Sequence, residues 1–164
     1  MEIKEKHGII VGKPAPDFTL QNQAREYVNL NDVLDTTPIM LAFYSKSFGP
    51  VCQAQFSNYI DHLDQFNELG VRIIGVSAND PDGHQELMIK HELPFTLLSD
   101  PSNRIAKKYG CTSIFMLGNV SRAIFLINTS GLILYRYVEP TTYTSRKSDE
   151  LLQVIRQLRQ NDLI

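Results

Sequence analysis

The stretch "PIMLAFYSKSFGPVCQAQFSNYIDHLDQF", residues 38–66, changes its hydrophobic period halfway. Residues 38–44 are a continuous apolar run, the pattern of a strand buried on both faces. From Pro50 onward the apolar positions are Cys52, Phe56, Tyr59, Ile60, Leu63 and Phe66. That three-and-four spacing predicts an amphipathic helix closing at Gly70. The next buried strand is "VRIIGVS" (71–77).

The same alternation extends in both directions. Upstream, "DFTL" (17–20) and "EYVNL" (26–30) are short strand candidates. Downstream, "DPDGHQELMIKHEL" (80–93) predicts a helix closed by Pro94, and "DPSNRIAKKYG" (100–110) a short helix with a glycine stop. "RAIFLIN" (122–128) and "LILYRYV" (132–138) flank "TSG", a tight hairpin in which Gly131 is free to take a positive φ. A last helix over 148–160 carries Leu151, Leu152, Ile155 and Leu158 on one face. The expectation is an α/β protein with a central mixed sheet and helices on both sides.

At 164 residues the chain has the size of one domain, 1–164. Residues 1–10 and "EPTTYTSRK" (139–147) are polar, aperiodic and expected to be mobile. A net charge of -2 with 43% hydrophobic and 21% charged residues carries none of the basic excess that nucleic-acid or anionic-membrane binding requires. The start, "MEIKEKHGIIVGKPAPDF", lacks a signal-peptide run, and no segment approaches the roughly 20 apolar residues of a membrane span. A cytoplasmic location follows as the expectation. Neither cysteine, Cys52 or Cys111, has metal-ligand spacing around it, nor do His7, His62, His84 and His91. No metal and no cofactor are expected, and His62 reads as part of a solvated helix face.

Cys52 then poses the functional question. With Gly49 as cap and Pro50 as first helical residue, the thiol lies in the first turn, where unpaired N–H groups and the helix dipole favour an anion. It also follows a buried strand of an α/β sheet, the end at which functional sites gather. The alternative is that Cys52 only continues the helix's apolar stripe, since free cysteine is among the most buried residue types. Local pattern leaves both open. The residues after it, Gln53, Ala54 and Gln55, do not make a C-x-x-C pair, so dithiol oxidoreductase chemistry is not expected.

Taken in order, "VGKPAPDFTLQN", "FYSKSFGPVCQAQ", "VSANDPDGHQELMIKHELPFTLLSDPSNRIAKKYG" and "VSRAIFLINTSGLI" resemble a peroxiredoxin of the alkyl hydroperoxide reductase and thiol-specific antioxidant family. The likeness covers residues 11–138 and is greatest to the bacterioferritin-comigratory-protein type and its one-cysteine relatives. It implies a thioredoxin-like fold with an N-terminal β extension, and a cysteine that reduces hydrogen peroxide or organic hydroperoxides by becoming a sulfenic acid. Cys52 matches the peroxidatic cysteine. Arg122 matches the residue that holds thiolate and peroxide, a role that suits a fixed guanidinium. Gln55 stands where the family has Glu or Gln and is expected to orient that arginine.

The family's P-x-x-x-T-x-x-C pattern is broken twice: its proline is Ser45 here and its threonine is Gly49. The missing hydroxyl is the graver change, since one placed donor is worth about 2.7–4 kcal/mol at a developing anion, or about 100-fold in rate. Ser45 and Ser47 are the candidate substitutes. The position five residues after Cys52, where such relatives often carry a resolving thiol, is Ser57. Cys111 beside "KKYG" reads as a packed core residue. The resemblance therefore implies a one-cysteine cycle with an external thiol reductant such as thioredoxin, in a monomer or homodimer. The other reading is a catalytically impaired relative that serves as a redox sensor or binding module.

Overall fold

The computed structural model describes residues 11–112 and 119–164; the expected mobile residues 1–10 lie outside them. The elements run β1 (Thr19–Asn22), β2 (Tyr27–Asn29), α1 (Leu30–Leu34), β3 (Ile39–Phe43), α2 (Pro50–Asp61), α3 (Leu63–Glu68), β4 (Arg72–Ser77) and α4 (Pro81–His91). They continue with β5 (Thr96–Ser99), α5 (Arg104–Lys108), β6 (Ala123–Ile127), β7 (Ile133–Val138) and α6 (Ser148–Gln160). Among the described residues the strands form one mixed sheet of seven in the order β2-β1-β5-β4-β3-β6-β7. β3, β4 and β5 are parallel neighbours, and the outer pairings are antiparallel.

Alternation along β3 divides the core into two layers. Ile39, Leu41 and Phe43 face one layer with Tyr109, Cys111 and Phe125. Met40 and Ala42 face the other with Cys52, Phe56, Tyr59, Phe66, Leu151 and Ile155. The two cysteines therefore lie on opposite sides of the sheet. All five residues of β3 are buried, as the unbroken apolar run requires of a strand covered on both faces.

Three local expectations are corrected. The strand expected over 26–30 stops at Asn29, whose side-chain oxygen accepts from Asp32 N–H and caps the short α1. β5 occupies 96–99, between the Pro94 stop and the helix expected from Asp100, where the sequence reading assigns no element. The helix expected to run unbroken to Gly70 is interrupted at His62, a half-buried residue rather than part of a solvated face. The Asn58 carbonyl, which a continuous helix would give to the His62 N–H, accepts instead from the His62 ring Nδ1–H (2.8 Å) and the Ser148 hydroxyl (3.1 Å). The freed His62 N–H turns to Tyr59 O.

A buried histidine joins α4 to the sheet. His84 is fully buried, with Nε2 2.9 Å from Ser77 Oγ and Nδ1 3.2 Å from Ser99 Oγ. Ser77 donates its own proton to Asn79 Oδ1 (2.6 Å), so His84 Nε2–H donates to Ser77 while Nδ1 accepts from Ser99. Asn79 Nδ2 then donates to Lys46 O, connecting this chain of bonds to the turn that follows β3.

Burial pushes the His84 imidazole down to about 4, against an opposing pull from Asp80. The unfolded chain binds a proton at His84 below about pH 6.5 and the native state does not until about pH 4, so stability rises with pH across that window. Acidification from about pH 6.5 to 4 is expected to remove about 2 to 3 kcal/mol through this group alone. Urea midpoints measured against pH for the parent and His84→Asn should show that loss only in the parent. Parallel curves would refute the assignment.

Candidate active site

The turn after β3 is shaped by its aromatic residue. Phe48 N–H bonds Ser45 O (3.0 Å), and Phe48 itself holds φ +47, a left-handed conformation uncommon for a bulky residue. Its ring is clamped among Tyr44, Phe56 and His91 at centroid distances of 5.6, 5.4 and 4.9 Å, which fixes that conformation. Gly49 caps α2 with φ -68 and ψ -177, ordinary extended backbone, and a Cβ placed there would meet nothing within 4 Å. Pro50 is the first helical residue and has no N–H. The helical ladder begins with Gln53 N–H on Gly49 O, so the donors of the first turn are the N–H groups of Val51 and Cys52.

Cys52, 1% exposed, sits in that turn. β6 runs antiparallel to β3 with Phe43 opposite Ala123, so Arg122 leaves the sheet at the same end as the turn. Arg122, 7% exposed, brings its guanidinium Nη1 to 3.8 Å from Cys52 Sγ. The other two nitrogens are held by backbone carbonyls: Nε and Nη2 on Thr144 O at 3.2 and 3.0 Å, and Nη2 also on Thr142 O. Segment 139–147, read from sequence as mobile, supplies those carbonyls. Backbone acceptors leave no trace in residue types, so sequence reasoning missed them.

The structure shows no direct bond from Gln55 to Arg122. Buried to 3% exposure, it donates through Nε2 to Tyr59 Oη (2.6 Å), its Oε1 has no hydrogen-bond partner, and no hydrogen bond joins it to the guanidinium. Ser45 and Ser47 share a hydrogen bond of 2.8 Å, which uses one of their two hydroxyl protons. Both line an open cleft of about 1100 Å³ that has Cys52, Gly49, Asn79 and Arg122 in its wall. The structure thus gathers Cys52, Arg122, Gly49 and Ser45 around one cleft, and Gln55 is not part of its wall.

Cys111 lies elsewhere. It is buried in the other core layer, and that burial pushes its thiol well above the ordinary cysteine value. Among the described residues no group of three or more His, Cys, Asp or Glu is placed to hold a metal ion, and no helix is long and apolar enough to cross a membrane.

Residues 11–136 match the model of the AhpC/TSA family. A bcp-type peroxiredoxin sequence from Haemophilus influenzae is 36% identical over 129 residues, covering 76% of this chain and 83% of its own. The chloroplastic peroxiredoxin Q of Oryza sativa subsp. japonica is 32% identical over 126 residues, covering 77% of this chain but only 58% of the rice protein's length. In three dimensions the chain is similar to the crystal structure of peroxidoxin BcpB from Mycobacterium tuberculosis. The TM-score is 0.81 over 91% of this chain and 97% of that one, at 24% identity.

Proposed function

This chain belongs to the AhpC/TSA family of peroxiredoxins and has the thioredoxin-like fold with an N-terminal β-hairpin, and from that premise we propose that it is a thiol-dependent peroxidase acting through Cys52. The observation that carries the proposal is the buried Sγ at the start of α2, 3.8 Å from the buried Arg122 guanidinium, in the wall of an open cleft. The Cys52 thiolate attacks the nearer peroxide oxygen in line with the O–O bond. Sulfur gives up two electrons and keeps that oxygen as sulfenic acid, and the other oxygen departs with a proton as water or alcohol. Arg122 Nη1 and the Val51 and Cys52 N–H groups face the charge that moves from sulfur to the leaving oxygen. An external thiol, thioredoxin or another, then condenses with the sulfenic acid, releasing water, and a second thiol frees Cys52 from the mixed disulfide.

In this scheme the peroxide is hydrogen peroxide or an organic hydroperoxide, and the protein acts as one unit, 1–164, in a reducing compartment such as the cytoplasm, as monomer or homodimer. Stopped-flow mixing of reduced protein with either peroxide tests it: oxidation much faster than that of an ordinary thiol, abolished in Cys52→Ser, is the expected result. A second reading, a redox sensor or binding module with impaired turnover, draws on Gly49, where the family's hydroxyl is absent. An ordinary thiol's rate in the parent would favour it.

The position of Cys111 leads to a further expected outcome. After one equivalent of peroxide, mass spectrometry should find sulfenic acid or a mixed disulfide at Cys52 and a reduced Cys111. A disulfide needs Cα atoms within roughly 7 Å, and these two cysteines have the sheet between them. An intrachain Cys52–Cys111 bond would overturn the one-cysteine cycle.

A further inference from the structure

The segment between β7 and α6 is fastened at both ends to the two elements that carry the site. At its start Glu139 N–H bonds Arg122 O (2.8 Å), beside β6. At its end Ser148 N–H bonds Asn58 Oδ1 (2.7 Å) and Ser148 Oγ bonds Asn58 O (3.1 Å), on the helix that bears Cys52. Between these points the Thr144 hydroxyl donates to Glu139 Oε2 at 2.7 Å and accepts from the Thr141 hydroxyl at 3.1 Å. The Thr144 carbonyl accepts from both Nε and Nη2 of Arg122.

Thr144 therefore stands between a buried carboxylate and a buried guanidinium, with its hydroxyl on one and its carbonyl on the other. Arginine has five donors in a rigid fork. Once Nε and Nη2 are tied to the segment, the direction of Nη1 is determined, and it is the nitrogen that meets Cys52 Sγ. We propose that Glu139 and Thr144 are positioning residues for Arg122: the carboxylate fixes the threonine hydroxyl, and the fixed threonine carbonyl aims the guanidinium at the thiol. Thr144 is not part of the cleft wall, whereas Thr141, Thr142 and Tyr143 are, so the pair acts without occupying substrate space. Where it concerns rate, the inference rests on the peroxidase reading above; where it concerns the thiolate, it does not.

The test compares Thr144→Val, Thr144→Ser and Glu139→Leu with the parent, following thiolate absorbance against pH, the second-order rate with hydrogen peroxide, and the thermal midpoint. Thr144→Val should move the Cys52 titration upward and slow the reaction by about tenfold, the scale of one lost hydrogen bond. Thr144→Ser, which keeps the hydroxyl, should restore both, and Glu139→Leu should match the valine variant. Glu139→Leu breaks the same bond from its other end, so the pair still decides if one of them fails to fold. A Thr144→Val protein that titrates and reacts like the parent, or a serine variant as impaired as the valine one, overturns the proposal. A slow parent whose titration nonetheless moves in Thr144→Val would sink the peroxidase reading and leave the positioning role standing.

Discussion

Arg122→Met is expected to slow oxidation of Cys52 by peroxide about 100- to 1000-fold, the range seen when one donor is removed from an anion-stabilising site. The same change should shift the thiolate titration to higher pH. Both effects follow from one contact. Nη1 lies 3.8 Å from Sγ, a cationic group at the thiol, and in the proposed reaction it would stabilise the charge developing on the leaving oxygen. Methionine keeps comparable length and apolar bulk but leaves the carbonyls of Thr142 and Thr144 without their donors, at a cost of about 1–3 kcal/mol each if they stay dry. The thermal midpoint must therefore be measured beside the rate. Arg122→Lys separates charge from geometry: an ammonium cannot bond both carbonyls and still reach sulfur as the planar fork does, so the lysine variant should fall between parent and methionine. A folded Arg122→Met protein reacting within about threefold of the parent would remove Arg122 from the transition state.

The strand-to-helix unit over 38–66 was legible because burial on both faces and burial on one helical stripe leave different periods in the sequence. The start of α2 was equally legible, since Gly49 and Pro50 announce a cap and a first turn. Three features were not. The break at His62 depends on the Asn58 carbonyl being drawn to a histidine ring and to Ser148, a residue 90 positions away, and no local pattern encodes that bond. β5 is four residues long and sits between turn formers, too short for either period to show. Arg122 could be named as the partner of Cys52 from resemblance alone, but its direction is set by two backbone carbonyls in a segment whose Thr, Ser and Pro content reads as loop. Gln55 shows the converse: a residue type that fits the role of orienting Arg122, in a position from which it bonds Tyr59 instead.

Whether Gly49 accepts a side chain is decided by its backbone conformation. A glycine with positive φ would resist any side chain, and Gly49→Thr would then destabilise the protein. The left-handed residue in this turn is Phe48, at φ +47; Gly49 is extended, with open space where Cβ would stand. Threonine therefore fits. Placed at the cap of α2, its oxygen can accept from the N–H of Cys52, the third helical residue, while its proton points a donor into the cleft. The expected result is an unchanged or slightly raised thermal midpoint, and a reaction with peroxide faster by up to about 100-fold, the scale of one placed donor. Gly49→Val is the necessary companion, because it adds the same branched bulk without the hydroxyl and should leave the rate near the parent's. If threonine and valine behave alike, the donor is not what this site lacks. The hydroxyl pair of Ser45 and Ser47 in the same cleft wall would then be the remaining source of a donor. If the parent also reacts no faster than an ordinary thiol, the redox-sensing or binding reading takes precedence over the enzyme.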